Sequence, residues 1–350
     1  MADNHFISFI KKVVPRLLVI AVVLYGFNRI YTEYVWSSDL KKHGTMLDEL
    51  HAIQDTSDML YFAESSNFTI GPNDTAKLRI SDYIDLSFPS RRIGVINHGA
   101  YHAQLFLPLI EQIDTSSSVK TIIVTLNMRT FNQDVIYGED EAGLQMTARL
   151  YQPQPPLLNR LFVSLNHYDN KDAHARDILL WKAWTTDTLK STVDSITFDP
   201  NTIRRWCETT KFPDSNGVEN MKLRVLADQS IKAYAFQIDE SNPMVQAFDE
   251  MVAVAGQKNI NLVFNLLAEN VEDAQQYVGS NLVWLMRQNR DFLVNRYTER
   301  GVLVVDNMEL LGSLHFLDRA VFPTEHYDEA GRKAIGQNVA NSLKKIIEPK

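Results

Sequence analysis

Five short runs of apolar residues, rich in β-branched side chains, constrain this chain more than any other feature. They are "DMLYFA" (58–63), "RIGVINHG" (92–99), "VKTIIVTLN" (119–127), "NINLVFNLL" (259–267) and "GVLVVDN" (301–307). Their apolar character is nearly continuous instead of alternating, which is how strands covered on both faces of a parallel sheet read. Helical patterns lie between most of them. Alternating β and α elements build a right-handed, doubly wound sheet with helices on both faces, so the expected class is α/β, a three-layer α/β/α sandwich with five parallel strands. Ligands in such folds bind beyond the carboxyl ends of the strands. Those ends carry Glu64-Ser65-Ser66-Asn67, Asn97-His98-Gly99, Asn127-Met128-Arg129 and the stretch from Asn265 to Asn270.

Residues 132–245 break the rhythm. They hold "QPQPPLLNR", the Trp-rich "LLWKAWTTDTL" and "NTIRRWCETTKF", helical in pattern and without strong strand signals. The reading is a helical insertion that leaves the sheet at a carboxyl end and roofs the site. With 350 residues, one main domain carrying an insertion accounts for the length. A net charge of −8 and the lack of a Lys/Arg stripe argue against nucleic acid as a partner. Cys207 stands alone, so no intramolecular disulfide and no CxxC zinc site can form, and it reads as a small buried apolar residue. No histidine spacing suggests a metal, and no cofactor is required by the reading.

The N-terminus is expected to meet a membrane. "VVPRLLVIAVVLYGF" (13–27) is free of charge from Leu17 to Phe27, with Arg16 able to snorkel and Tyr25, Tyr31, Tyr34 and Trp36 supplying aromatic contacts at the far interface. Lys11, Lys12 and Arg16 precede the run, which leaves the N-terminus in the cytoplasm and exports the rest. The bulky "YGFNRIYTEYVW" offers no small-x-small cleavage pattern, so residues 1–36 read as an uncleaved signal anchor, with a cleaved signal peptide or a buried core helix as alternatives. The domain on the extracytoplasmic side then spans residues 37–350. Leu40, Leu47, Leu50 and Ile53 mark a helix within 37–57 that leads off the membrane.

Ester chemistry by a serine needs a nucleophilic hydroxyl, a histidine to take its proton and donors for the oxyanion. Ser65 or Ser66 at the end of the first strand, His326 in "FPTEHYDEAGR" before an amphipathic C-terminal helix, and Gly99 N–H with the Asn127 amide meet these needs. His98 and His102 read as packing residues before substrate contacts. Arg129 either binds an anionic group or pairs with a carboxylate, and Glu269 with Asn270 is placed in the same cleft.

In these blocks the chain resembles the SGNH or GDSL hydrolases, whose flavodoxin-like fold carries Gly-Asp-Ser after the first strand, Gly after the second, Asn after the third and His before the last helix. Here the matching blocks are "FAESSN" with Ser65, "NHGAYH" with Gly99, "TLNMRTF" with Asn127 and "EHYDEAGR" with His326, over residues 58–131 and 259–345. Ala63-Glu64 replaces Gly-Asp, and Pro323 stands where the family's aspartate would precede the histidine. The acid is therefore open: Glu325 is nearest, Asp318 and Asp306 are alternatives, and a backbone carbonyl would suffice for a Ser-His dyad. The resemblance implies a membrane-anchored serine esterase or O-acyltransferase acting on an acylated small molecule or cell-envelope polymer, with a membrane acyltransferase as a possible partner. The other reading is an inactive module of the same fold that binds envelope glycan or a membrane partner.

Overall fold

The computed structural model describes residues 2–190 and 201–347; the remainder of the 132–245 segment, 191–200, lies outside the described residues. Each apolar run forms a strand: β1 (Met59–Ala63), β2 (Ile93–Asn97), β3 (Thr121–Leu126), β4 (Asn261–Leu266) and β5 (Leu303–Asp306). They form one parallel sheet in the order β2-β1-β3-β4-β5. Tyr61 is in register with Val95 on one side and Ile123 on the other. The three inner strands are buried almost throughout. The edges differ from the expectation of two covered faces: in β2 only Gly94 and Ile96 are buried, and Asp306 at the end of β5 is exposed.

Successive strand side chains point to opposite faces, and two cores result. Leu60, Phe62, Ile122, Val124 and Phe264 face one way, against the Ala103–Glu111, Pro243–Lys258 and Ser280–Glu299 helices. Phe264 there meets Phe248 and Tyr297 edge-on, at centroid separations of 5.0 and 4.8 Å. Met59, Tyr61, Ala63, Ile123, Val263 and Val305 face the other way, toward the Ile80–Asp85 and Glu329–Ile347 helices.

Between β3 and β4 the described residues form helices and turns with no strand of the sheet. Local chemistry sets the helix ends. Asn242 caps Pro243–Lys258 by accepting from Met244 N–H, Pro243 occupies the first turn, and Asn259 ends the helix in the left-handed region at φ 55°. Asn242 Nδ2 donates to Phe131 O, and Asn132 donates to Lys232 O and Ala233 O, tying the helical segment to the chain just beyond β3.

At the N-terminus an Ala2–Tyr34 helix contains the stretch Lys11–Tyr34, long and apolar enough to cross a membrane, with its apolar residues Leu17–Phe27 left uncovered and Tyr31 buried against the domain. At 1.5 Å per residue its 24 residues extend about 36 Å, against a hydrocarbon layer of about 30 Å. The segment that follows corrects one expectation. It is not a helix leading away but two short helices, Trp36–His43 and Met46–Ile53, whose Leu40, Met46, Leu47 and Leu50 enter the first core. Gly44 joins them at φ 133°, and a Cβ there would lie 2.5 Å from the Tyr151 hydroxyl and 2.8 Å from that of Tyr101.

The C-terminal helix approaches Ile80–Asp85 so closely at Gly336 that a Cβ would sit 2.7 Å from Tyr83 Cβ and 2.9 Å from Ile80 O. Backbone on one side leaves no room to yield. Gly336→Ala is expected to cost about 1–3 kcal/mol in chemical denaturation of the detergent-solubilised protein. Gly143→Ala, at a helical glycine with open space around it, is expected to be neutral or stabilising.

Candidate functional site

The site lies at the carboxyl ends of β1, β2 and β3. β1 ends at Ala63, and the chain turns through extended Glu64 into a single helical turn, Ser65–Phe68. Asn67 fixes that turn. Its amide oxygen accepts from Ser81 N–H at 2.8 Å and its NH2 donates to Ser81 Oγ and Asn97 Oδ1, so it stitches the serine turn to the Ile80–Asp85 helix and to the end of β2. Ser66 is buried, whereas Ser65 is partly open and lines a cavity of about 330 Å3.

His326 reaches this serine from the other end of the chain. Its Nε2 is 3.1 Å from Ser65 Oγ, and its Nδ1 is 2.7 Å from Asp318 Oδ2. The connection that brings Asp318 there is a closed loop. Phe316 and Tyr327 form an antiparallel bridge, and Leu317 N–H donates to His326 O, so the residue after Leu317 lies beside the histidine although it is eight positions away in sequence. Asp318 also accepts from Thr324 Oγ at 2.9 Å. A carboxylate accepts only, which puts the proton on His326 Nδ1 and leaves Nε2 free to accept from the serine hydroxyl.

Glu325, taken as the nearest acid, does not face the imidazole. Adjacent side chains diverge, and its buried carboxylate accepts from Arg129 Nε at 2.5 Å and from Asn127 Nδ2 at 3.1 Å. Asp306 lies elsewhere, within reach of Arg290 and accepting from Met308 N–H.

Beneath the serine is a set of buried charges that sequence reading did not assemble. Asn127 donates to Glu64 Oε1 at 2.6 Å as well as to Glu325, while its oxygen accepts from Arg129 N–H, which fixes the orientation of the amide. Both amide hydrogens expected to hold an oxyanion are therefore directed at carboxylates. Burial, then the neighbouring Glu325, pushes the Glu64 carboxyl up to about 8. Burial raises Glu269 well above the usual range too; it accepts from the Tyr234 hydroxyl and lies outside the cavity lining, and Asn270 caps the helix that follows. For Arg129 burial works against the charge, but the Glu325 carboxylate outweighs it and holds the guanidinium firmly protonated. Arg129 thus resolves as a paired cation.

The remaining candidates divide. Gly99 follows β2, and its neighbour Ala100, in the left-handed region at φ 64°, lines the cavity. His98 is exposed and stacks on Tyr101, whereas His102 is buried with Nε2 3.2 Å from Glu141 Oε2. The lining is acidic, with Asp134, Glu139, Asp140 and the buried Glu141, and burial lifts Asp134 to about 6. Cys207 is half-buried. Among the described residues no group of three or more His, Cys, Asp and Glu is arranged to hold a metal ion. A larger hollow of about 540 Å3, between Gln133–Tyr137 and Ala235–Pro243, has no histidine in its lining.

Two contributors were weakly marked in the sequence. Asp318 was one of several acids at the wrong spacing, and Asn67 was simply the residue after two serines. Arg332 left no signal at all. Wholly buried on the C-terminal helix, it donates to Thr69 O at 2.8 Å, Tyr327 O at 2.5 Å, Leu78 O at 2.8 Å and Asp74 Oδ2 at 2.6 Å. It links the end of the serine turn to the residue after His326.

No family model matches the chain, and no curated protein sequence matches it.

The buried carboxyl at Glu64 has a stability signature. Its proton is held in the folded state up to about 8 but lost near 4.3 when unfolded, so the folded state binds more protons in between and stability falls as pH rises through that window. Thermal denaturation across that range is expected to show the decline, and Glu64→Gln is expected to lessen its slope, the raised carboxyls of Glu269 and Asp134 keeping the rest.

Proposed function

We propose that the protein is a serine acyl-transfer enzyme of the SGNH type, an esterase or O-acyltransferase, with Ser65 as nucleophile. The observation that carries this reading is the Ser65–His326–Asp318 chain of contacts, 3.1 and 2.7 Å long, at the mouth of a cavity at the strand ends. Its order along the chain, with Gly99 and Asn127 after β2 and β3, supports the resemblance drawn from the sequence.

In the proposed reaction Ser65 Oγ attacks an ester carbonyl while His326 Nε2 takes the hydroxyl proton, and Asp318 stabilises the resulting imidazolium. The carbonyl π pair moves to oxygen, and the backbone N–H groups of Ser65 and Gly99 are the donors assigned to it in this proposal. Collapse expels the alcohol, which receives the proton from His326 and leaves an acyl-Ser65 ester. Water attacking that ester completes hydrolysis; a sugar or polymer hydroxyl completes transfer. The extracytoplasmic location, with an acylated envelope polymer as substrate and a membrane acyltransferase as partner, belongs to the same proposal.

The acidic lining supports a preference about charge. Arg129 lines the cavity with its Nε on Glu325, and Asp134, Glu139, Asp140 and Glu141 line it too, so an anionic substrate meets more carboxylates than cations. A p-nitrophenyl ester of a dicarboxylic acid is expected to show kcat/KM lower by roughly tenfold or more than the neutral acetate ester.

One observation favours a second reading, a silent binding module of this fold: the Asn127 amide is held by Glu64 and Glu325. Active-site labelling separates the two. A fluorophosphonate is expected to label the full-length protein and not Ser65→Ala, and Asp318→Asn is expected to lower p-nitrophenyl acetate turnover by at least about 100-fold. Glu325→Gln is expected to stay within about tenfold, since it leaves the imidazole partner intact. Equal labelling of wild type and Ser65→Ala leaves only the binding module.

A further inference from the structure

The Pro156–Ser164 helix is fastened to the N-terminal helix and carries an apolar stripe left exposed by the described residues. Leu158, Leu161 and Leu165 are 37, 49 and 67% exposed. At 100° per residue they fall within about 60° of one another. The opposite face holds buried Asn159 and Val163. Asn159 donates to Leu150 O and Gln152 O, which locks the helix onto the end of the Glu141–Tyr151 helix.

Its level along the N-terminal helix is set by specific contacts. The apolar stretch of that helix ends at Phe27, followed by Asn28 and Arg29. Asn28 Oδ1 accepts from Leu157 N–H at 2.9 Å, so the first turn of the Pro156–Ser164 helix sits at the depth where the apolar stretch gives way to polar residues. One turn further from the bilayer, Tyr31 donates to Asp39 at 2.5 Å, and Arg160 lies 3.4 Å from the same carboxylate. Arg160 therefore marks the side of the helix turned toward the domain, and the leucines project from the side turned away.

We infer that the Pro156–Ser164 helix lies on the bilayer surface beside the anchor, with Leu158, Leu161 and Leu165 inserted among the headgroups and upper acyl chains. The occupant of the stripe is lipid of the membrane that the anchor crosses. Continuity with the Lys11–Tyr34 helix argues for it, and the depth of an interfacial helix is that of the Asn28 contact. The leucines add apolar contact that an anchor alone does not provide. The inference rests on the membrane-spanning reading of Lys11–Tyr34.

Spin-label accessibility tests both separately. The full-length C207A protein, reconstituted in nanodiscs of phosphatidylethanolamine and phosphatidylglycerol, would carry one label at a time at L158C, L161C, L165C, V22C on the anchor, or L86C as a water-exposed control. Relative accessibility to oxygen over a nickel chelate is expected to be high at 22 and, at 158, 161 and 165, at least about tenfold above that at 86. A lipid-like value at 22 with water-like values at all three leucines would overturn the inference and leave the anchor standing. A water-like value at 22 would remove the anchor and the inference with it. Dipolar broadening at 161 in proteoliposomes would assign the stripe to a second copy and overturn the lipid occupant.

Discussion

A buried guanidinium and the Asn127 amide, which bridges Glu64 and Glu325, tie together the two halves of the candidate site. Ser65 comes from the front of the chain and His326 from the back, and neither strand pairing nor local turn chemistry fixes one relative to the other. Arg332 does so by donating to Thr69 O, four residues past the serine, and to Tyr327 O, one past the histidine. Its charge is met by Asp74, whose carboxyl is held below the usual range by Arg332 despite burial. A rigid fork with several donors suits this task in a way a flexible ammonium would not. Because its partners are mostly backbone carbonyls, the clamp depends on the path of the chain more than on the identity of the residues it holds.

The second constraint is electrostatic. Glu64, Glu269 and Glu325 are buried around one arginine, and a dry site cannot hold three carboxylate charges against a single cation. Protons must make up the difference, which is why burial and mutual repulsion raise Glu64 and Glu269. The same arrangement fixes Asn127: its amide bridges Glu64 and Glu325 and stiffens the floor below Ser65. In the proposed reaction the chemistry at Ser65 therefore leans on backbone N–H groups and on the Ser65–His326–Asp318 line, with the carboxylate set acting as scaffold.

The strands were legible because an inner parallel strand must be apolar on both sides, and the one longer run of that character, Leu17–Phe27, is set apart by its length and its place before the sheet. Their ends were legible for the same reason: a polar residue directly after such a run, like Ser65, Gly99 or Asn127, has only the carboxyl edge of the sheet to occupy. Asp318 escaped because its closeness to His326 comes from the Phe316–Tyr327 bridge, a long-range pairing with no spacing rule. The partner of Glu325 escaped because sequence adjacency says nothing about which way a side chain points. Residues 37–57 misled for a related reason: amphipathic spacing shows that a face is buried but not against what, and Leu40, Leu47 and Leu50 turned out to cover the sheet.

That last feature changes what the anchor is. A chain leaving a membrane through a loose tether lets its domain swing and search a volume set by the tether's length. Here the helix passes directly into residues that belong to the core, with Asn28 and Tyr31 bonded to the domain on the way. With the anchor in a bilayer, the height and facing of the serine become constants of the fold. On the proposed function the search is then two-dimensional, and a substrate would be sorted by how far its acyl group stands from the membrane before its chemistry is tested.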